Sequence, residues 1–284
     1  MSAPQNEALD RVDGLLGVRF LYANSPPNLE LLRSQLAAAL PQAKVSTNEA
    51  DVSFVHIAHL SHVFEFKDGS APAQAVVFAP QTLDAARLSD ALSQARGWPQ
   101  VSDVVGRCSH ELIVTELMAR HFEPRLRLAL FNEVVSRLQE SAPPEAIHSV
   151  HADRLFEPAA YLADLRSPDE ATRFFTSSHV RLFRVDGARG NESIMDTRGL
   201  PTFGIPDLQI HFSGLEANAV ARQLYNIAYY LFTEGDCLET GHTIEGLDPS
   251  QAWRCQREIS LAPPRREVID LDPGPPFAAG NRRR

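Results

Sequence analysis

Catalysis in this chain would fall to its histidines and carboxylates. His110, Asp207 and His242 are the residues an enzyme would use. A carboxylate orients an imidazole, and the imidazole then serves as general base. That arrangement needs Asp207 and His242 to meet, with Thr243 and either His110 or Glu111 completing a cofactor-free hydrolase or transferase site. No G-x-S-x-G elbow supplies a nucleophile. The zincin spacing fails too: four residues after His110, where a second histidine would stand, is Val114. His56, His59 and His62 recur every third residue. On a helix they would share one face, as in some metal sites. The neighbouring Val52, Phe54, Val63, Phe64 and Phe66 favour strand, which turns His59 away from the other two. No Gly-rich phosphate loop follows any strand. The expectation is no metal and no cofactor.

Recognition is the other chemistry available. Glu234, Asp236, Glu239, Glu245 and Asp248 cluster around a glycine-bearing loop. Exposed carboxylates there would anchor a basic partner, and Asp236, Glu239, Glu245 and Asp248 are the candidate binding residues. The whole chain leans the same way, with 27 basic against 36 acidic residues and a net charge of −9. A nucleic-acid binder needs a basic surface to neutralise phosphates, so nucleic acid is an unsuitable partner. No apolar run approaches the ~20 residues that span a bilayer. The polar start Met1–Glu7 lacks a secretory pattern. Cys108, Cys237 and Cys255 are too widely spaced for a disulfide scaffold. A cytoplasmic protein away from membranes is expected.

Several elements must position these groups. The 284 residues, 44% of them hydrophobic, can bury a sizeable core. After a loose leader over 1–16, Gly17–Ala23 reads as a strand and 28–40 as a helix with Leu29, Leu32, Leu36 and Leu40 on one face. Strands follow over 51–58, 63–66 and 75–78, then a helix capped by Thr82, containing Leu83, Ala86, Leu88, Ala91 and Leu92 and ending near Gly97-Trp98-Pro99. Leu112–Val114 is the next strand core. Pro124 opens a helix over 124–141 whose stripe is Leu126, Leu130, Val134 and Leu138, with Leu130 at its centre. Arg166–Asp169 is the candidate boundary. Beyond it lie strands at 180–185 and 208–212, a turn at Asp186–Gly187 leading to Asn191, and a helix over 215–232. Asp207, after Pro206 and before a strand, suits a turn closed by its own side chain. The order predicts an α+β fold with mixed or antiparallel sheets and helices packed on one face, the first half ferredoxin-like. The divisions are 17–165 and 166–272, with a disordered tail over 273–284.

Three segments resemble a known family. The first is Trp98-Pro99 followed by Cys108-Ser109-His110-Glu111-Leu112-Ile113-Val114-Thr115. The second is Gly199-Leu200-Pro201-Thr202-Phe203-Gly204-Ile205-Pro206-Asp207-Leu208. The third is Gly241-His242-Thr243-Ile244-Glu245-Gly246. In this order they resemble the bacterial domain of unknown function family 4261, over roughly residues 60–272. In the third segment His242 fills a slot that the family usually gives to a small polar residue. The family brings no settled activity. It implies bacterial origin and, for some members, toxin and secretion gene neighbourhoods. The resulting expectation is a non-catalytic protein-binding module, such as an immunity or toxin/secretion-associated protein. Its partner would be a basic toxin or effector domain.

Overall fold

The computed structural model describes residues 14–48, 51–185 and 192–280. They form two units, one spanning Leu15–Ser178 and the other beginning at His179. Most of the expected leader, the turn at 186–191 and the end of the tail at 281–284 lie outside the described residues. The division falls after Ser178, and Arg166–Asp169 is an internal connection of the first unit.

The first unit opens with β1 (Gly17–Tyr22) and α1 (Leu29–Ala39). Asn28 caps α1 by accepting from the Leu31 amide, and Leu29, Leu32 and Leu36 are its buried stripe. Next come β2 (Lys44–Asn48), the long hairpin of β3 (Asp51–Phe66) and β4 (Gly69–Phe78), and the two-residue β5 (Gln81–Thr82). The helix expected from Thr82 is divided. A 3-10 turn at Ala85–Leu88, started by Asp84 accepting from the Ala86 amide, runs into α2 (Ser89–Gln94), and α3 (Val101–Arg107) follows Trp98-Pro99. Then β6 (His110–Leu117), α4 (Pro124–Ser141), β7 (Ala146–Ser149), β8 (Arg154–Phe156), α5 (Pro158–Leu165) and α6 (Glu170–Phe175) complete the unit.

Among the described residues its sheet runs β2-β3-β4-β6-β1-β7-β8, all neighbours antiparallel, with β5 beside β6. The inner order β4-β6-β1-β7, connected through α1 and α4, is the ferredoxin-like arrangement. Val18, Phe20 and Tyr22 share one face of β1, and the Tyr22 hydroxyl donates to Ala142 O at the end of α4. On the other face Leu21 joins Ala146 and Leu155 in a cluster covered by α2 and α3. Short helices thus add cover opposite α1 and α4.

The stripe of α4 is rotated from its expected phase. Leu128, Phe131, Val134, Val135 and Leu138 are buried, whereas Leu130 is only half-buried. Phe131, Val134, Val135 and Leu138 stand at i, i+3, i+4 and i+7, a fuller apolar face than the one through Leu130. Arg127 shares the buried side because Glu116 on β6 receives it (side-chain exposure 5% and 2%). Glu116 also accepts from the amide of Leu16, which is buried and not part of a loose leader.

The second unit contains β9 (His179–Arg184), β10 (Glu192–Arg198), β11 (Asp207–Ser213), α7 (Ala217–Glu234), β12 (Thr243–Glu245), β13 (Ala252–Ile259) and β14 (Glu267–Asp272). Its sheet order is β12-β13-β14-β11-β10-β9, mixed because β14 and β11 are parallel. Glu216 caps α7 by accepting from the Asn218 and Ala219 amides, and Gly235 ends it in the left-handed region (φ 84°). The buried stripe Val220, Leu224, Ile227, Ala228 and Leu231 covers the sheet face that carries Leu208, Ile210, Cys255 and Trp253. Through residue 280 the expected disordered tail is instead ordered. Ser213 N donates to Phe277 O and Ala279 N to His211 O, extending β11 beyond the reach of β14.

Candidate functional site

The second segment is built around Asp207, the first residue of β11. Gly199 (φ 110°) and Gly204 (φ 78°) bracket a 3-10 turn, Leu200–Phe203, in backbone conformations that L side chains rarely adopt. Asp207 closes this turn. Its Oδ1 accepts from Leu200 N and Thr197 Oγ1, both at 3.2 Å, and Thr197 Oγ1 accepts from Leu208 N at 2.8 Å. Its Oδ2 accepts from Arg266 Nε at 2.7 Å. The other end of Arg266 donates to Asp196 Oδ2 at 3.0 Å and to Thr197 O at 2.8 Å. Arg181 Nε donates to Asp196 Oδ1 at 2.9 Å.

Two aspartates and two arginines thus form a closed, neutral quartet, with side-chain exposures of 4% or less. Burial, the largest influence, pushes the Asp207 carboxyl above its ordinary value, while the charge and hydrogen bond of Arg266 pull against it. With both oxygens occupied inside the protein, Asp207 serves as a cross-link between β10, β11 and the chain at Arg266, and it offers no oxygen to a substrate.

His242 is exposed on the loop after α7. Its Nδ1 accepts from Glu239 N at 3.2 Å, and its carbonyl accepts from Cys255 N at 2.8 Å. No hydrogen bond joins it to Asp207. His110 lies in the first unit at the start of β6, half-buried, with Nδ1 2.9 Å from Ser109 Oγ. His56, on β3, contacts Gln74 Oε1 at 2.9 Å. The strand then shifts register between His59 and Val63. His59 is buried, which lowers its pKa, and His62 contacts Ser61. Among the described residues no group of three His, Cys, Asp or Glu side chains could hold a metal ion.

The acidic segment has a different character. Asp236, Glu239 and Glu267 all approach one guanidinium, that of Arg257, at 2.5, 3.5 and 3.0 Å. Asp248 Oδ1 accepts from Ser250 Oγ at 2.6 Å and Ser250 N at 2.8 Å, and these bonds hold its carboxyl below the ordinary value. Glu245 presents its side chain from β12, while its carbonyl accepts from Gln223 Nε2 of α7 at 2.8 Å. All four carboxylates are exposed. They stand on a scaffold set by β13 and α7, so their positions are fixed while their charge faces water.

The glycines of the third segment have separate reasons. Gly241 has φ 96°. Gly246 lies against Trp253, where a Cβ would come 2.5 Å from the indole Nε1. Gly246→Ala is therefore expected to destabilise the protein by about 1–3 kcal/mol through overpacking and to alter Trp253 fluorescence. Unchanged thermal unfolding and emission would show that Trp253 yields without strain.

The sequence reading missed two further buried polar groups, both in the first unit. Arg19 Nε is 3.3 Å from Glu111 Oε2, and Glu111 Oε1 accepts from Gln81 Nε2 at 2.7 Å. Arg19 also reaches His148 Nδ1 at 3.2 Å, and the His148 Nε2 is 3.0 Å from Asp153. Both ring nitrogens of His148 are thereby engaged. Strand alternation predicts which residues share a face, but it does not show that β1, β6 and β7 lie side by side.

Neither the curated proteins nor the solved structures contain a match. A family model, Domain of unknown function (DUF4261), matches residues 196–272. The match takes in the second and third segments, and the first lies outside it. It includes Asp196, Asp207 and Arg266 of the buried quartet and the whole acidic loop with β12. Over residues 196–272, from β10 to the end of β14, this chain is similar to the DUF4261 family.

Proposed function

We propose that the chain acts by binding another protein, as a bacterial, cytoplasmic immunity or toxin/secretion-associated module. The partner is basic, and the segment Glu234–Asp248 contributes to the surface that meets it. The observation that carries this reading is the contrast between two sets of carboxylates. Asp196 and Asp207 are spent on internal arginines, whereas Asp236, Glu239, Glu245 and Asp248 face solvent from an ordered loop and edge strand. Loops held by a rigid scaffold are where recognition residues collect. Three exposed carboxylates share the single guanidinium of Arg257, so local negative charge remains to steer a cationic partner.

The test is isolation of the partner from the native host, followed by association kinetics. Reversal of Glu245 and Asp248 to lysine is expected to slow association with the isolated partner several-fold at low salt. An unchanged rate would remove this loop from the interface. Turnover of a small molecule that is abolished by His242→Ala would replace the binding reading with an enzymatic one.

A further inference from the structure

The edge strand β12 has its own geometry. Cys255 N donates to His242 O, and Gly246 N donates to Gln251 O. With the register Thr243 to Arg254, Ile244 to Trp253 and Glu245 to Ala252, antiparallel alternation aims the main-chain groups of His242, Ile244 and Gly246 at β13. Those of Thr243 and Glu245 point away from the sheet. Gln223 takes the Glu245 carbonyl. The Thr243 N–H, the Thr243 carbonyl and the Glu245 N–H are left, and among the described residues no hydrogen bond reaches them. Both residues are exposed.

A second observation lies at the end of the same strand. Trp253 is fully buried opposite Ile244, and its indole Nε1 has no hydrogen-bond partner. A buried unpaired donor is costly. This one faces the place that Gly246 leaves without a side chain. Charge is the third observation. Glu239, Glu245 and Asp248 are exposed around this edge, with Arg254 on β13 opposite Thr243. A short, charged edge repels acidic strands and is a poor template for apolar ones, but it remains open to a basic one.

We infer that β12 receives an extended, basic segment of the partner protein as an added strand. This rests on the protein-binding reading and supplies its mode. The incoming backbone donates to the Thr243 carbonyl and accepts from the Thr243 and Glu245 amides. Arginine or lysine side chains meet Glu239, Glu245 and Asp248. Main-chain pairing supplies the affinity, and the carboxylates select for charge.

Tryptophan fluorescence provides the readout, because Trp98 and Trp253 are the only two tryptophans and Trp98→Phe leaves Trp253 as sole reporter. In the full chain with that change, a ten-residue peptide of alternating arginine and valine is titrated. A saturable change in Trp253 emission is expected. The same peptide N-methylated at alternate residues keeps its charge and loses strand pairing, and it is expected to bind at least tenfold more weakly. Thr243→Pro removes an amide that points away from β13, so it is expected to leave thermal unfolding unchanged while weakening the unmethylated peptide at least tenfold. Glu245→Pro is the second variant, should Thr243→Pro unfold the protein. Equal binding of the two peptides, or indifference to both proline variants, would overturn strand addition and leave binding by charge alone. Failure of both peptides to bind would also overturn it, while slower association of the Glu245 and Asp248 reversals with the isolated partner would still uphold the protein-binding reading.

Discussion

Arg266→Met is expected to destabilise the protein by about 3–5 kcal/mol at neutral pH. The change strips both Asp196 and Asp207 of a shared cation in a fully buried site, leaving Arg181 paired with Asp196 and Arg198 as a further cation acting on Asp207. The pH dependence has a definite sign. Burial raises the Asp207 carboxyl above its ordinary value of 3.8. A group raised in this way favours the fold most where it is protonated, below its ordinary value, and that contribution is lost as pH rises through the raised value. Arg266 opposes the rise, so its removal pushes Asp207 higher and widens the window. The deficit of Arg266→Met should therefore be largest near pH 7 and shrink as pH falls toward about 4. Urea unfolding of both proteins at the two pH values checks this. A deficit under about 1 kcal/mol at pH 7, or one that grows on acidification, would contradict a charge-paired quartet.

Phe131→Ala is expected to cost about 3–5 kcal/mol, from lost burial and the cavity left behind. Phe131 is 3% exposed on α4. Leu130→Ala, one residue away and half-buried, is expected to cost only about 1 kcal/mol. Urea melts with equal slopes would establish the comparison. Equal losses for the two would return the centre of the stripe to Leu130.

The two substitutions mark what could be read from the sequence and what could not. Helix α4 was legible because Pro124 starts it and apolar residues recur at helical spacing. Its phase was not, because a pattern of apolar residues counts Arg127 as outward, whereas Glu116 eleven residues earlier draws it inside. Asp207 could be read as a turn residue from Pro206 and the strand after it. Its second partner, Arg266, stands 59 residues away, and no local signal connects them. The same limit applies to Asp207 and His242. Their residue types suit a catalytic pair, yet β11 buries one within the quartet and the loop before β12 exposes the other. The tail from Pro273 has the composition of a loose end, but Phe277 and Ala279 find free main-chain groups on β11. Exposure of Asp236, Glu239, Glu245 and Asp248 was legible from charge and position alone. That β12 is an edge strand became visible only with the sheet order.

We propose steering of a basic protein partner by the acidic segment. Its most direct test is the association rate with the isolated partner, measured from about 20 mM to 500 mM salt, for the native chain and for Asp236→Lys with Glu239→Lys. Exposed charges act mainly on association and are screened over about a Debye length. The native rate should fall steeply with salt, and the reversed variant should start slower and show a flatter dependence, with a modest loss of thermal stability because both reversed residues face Arg257. Superimposable salt dependences for the two proteins would contradict the claim.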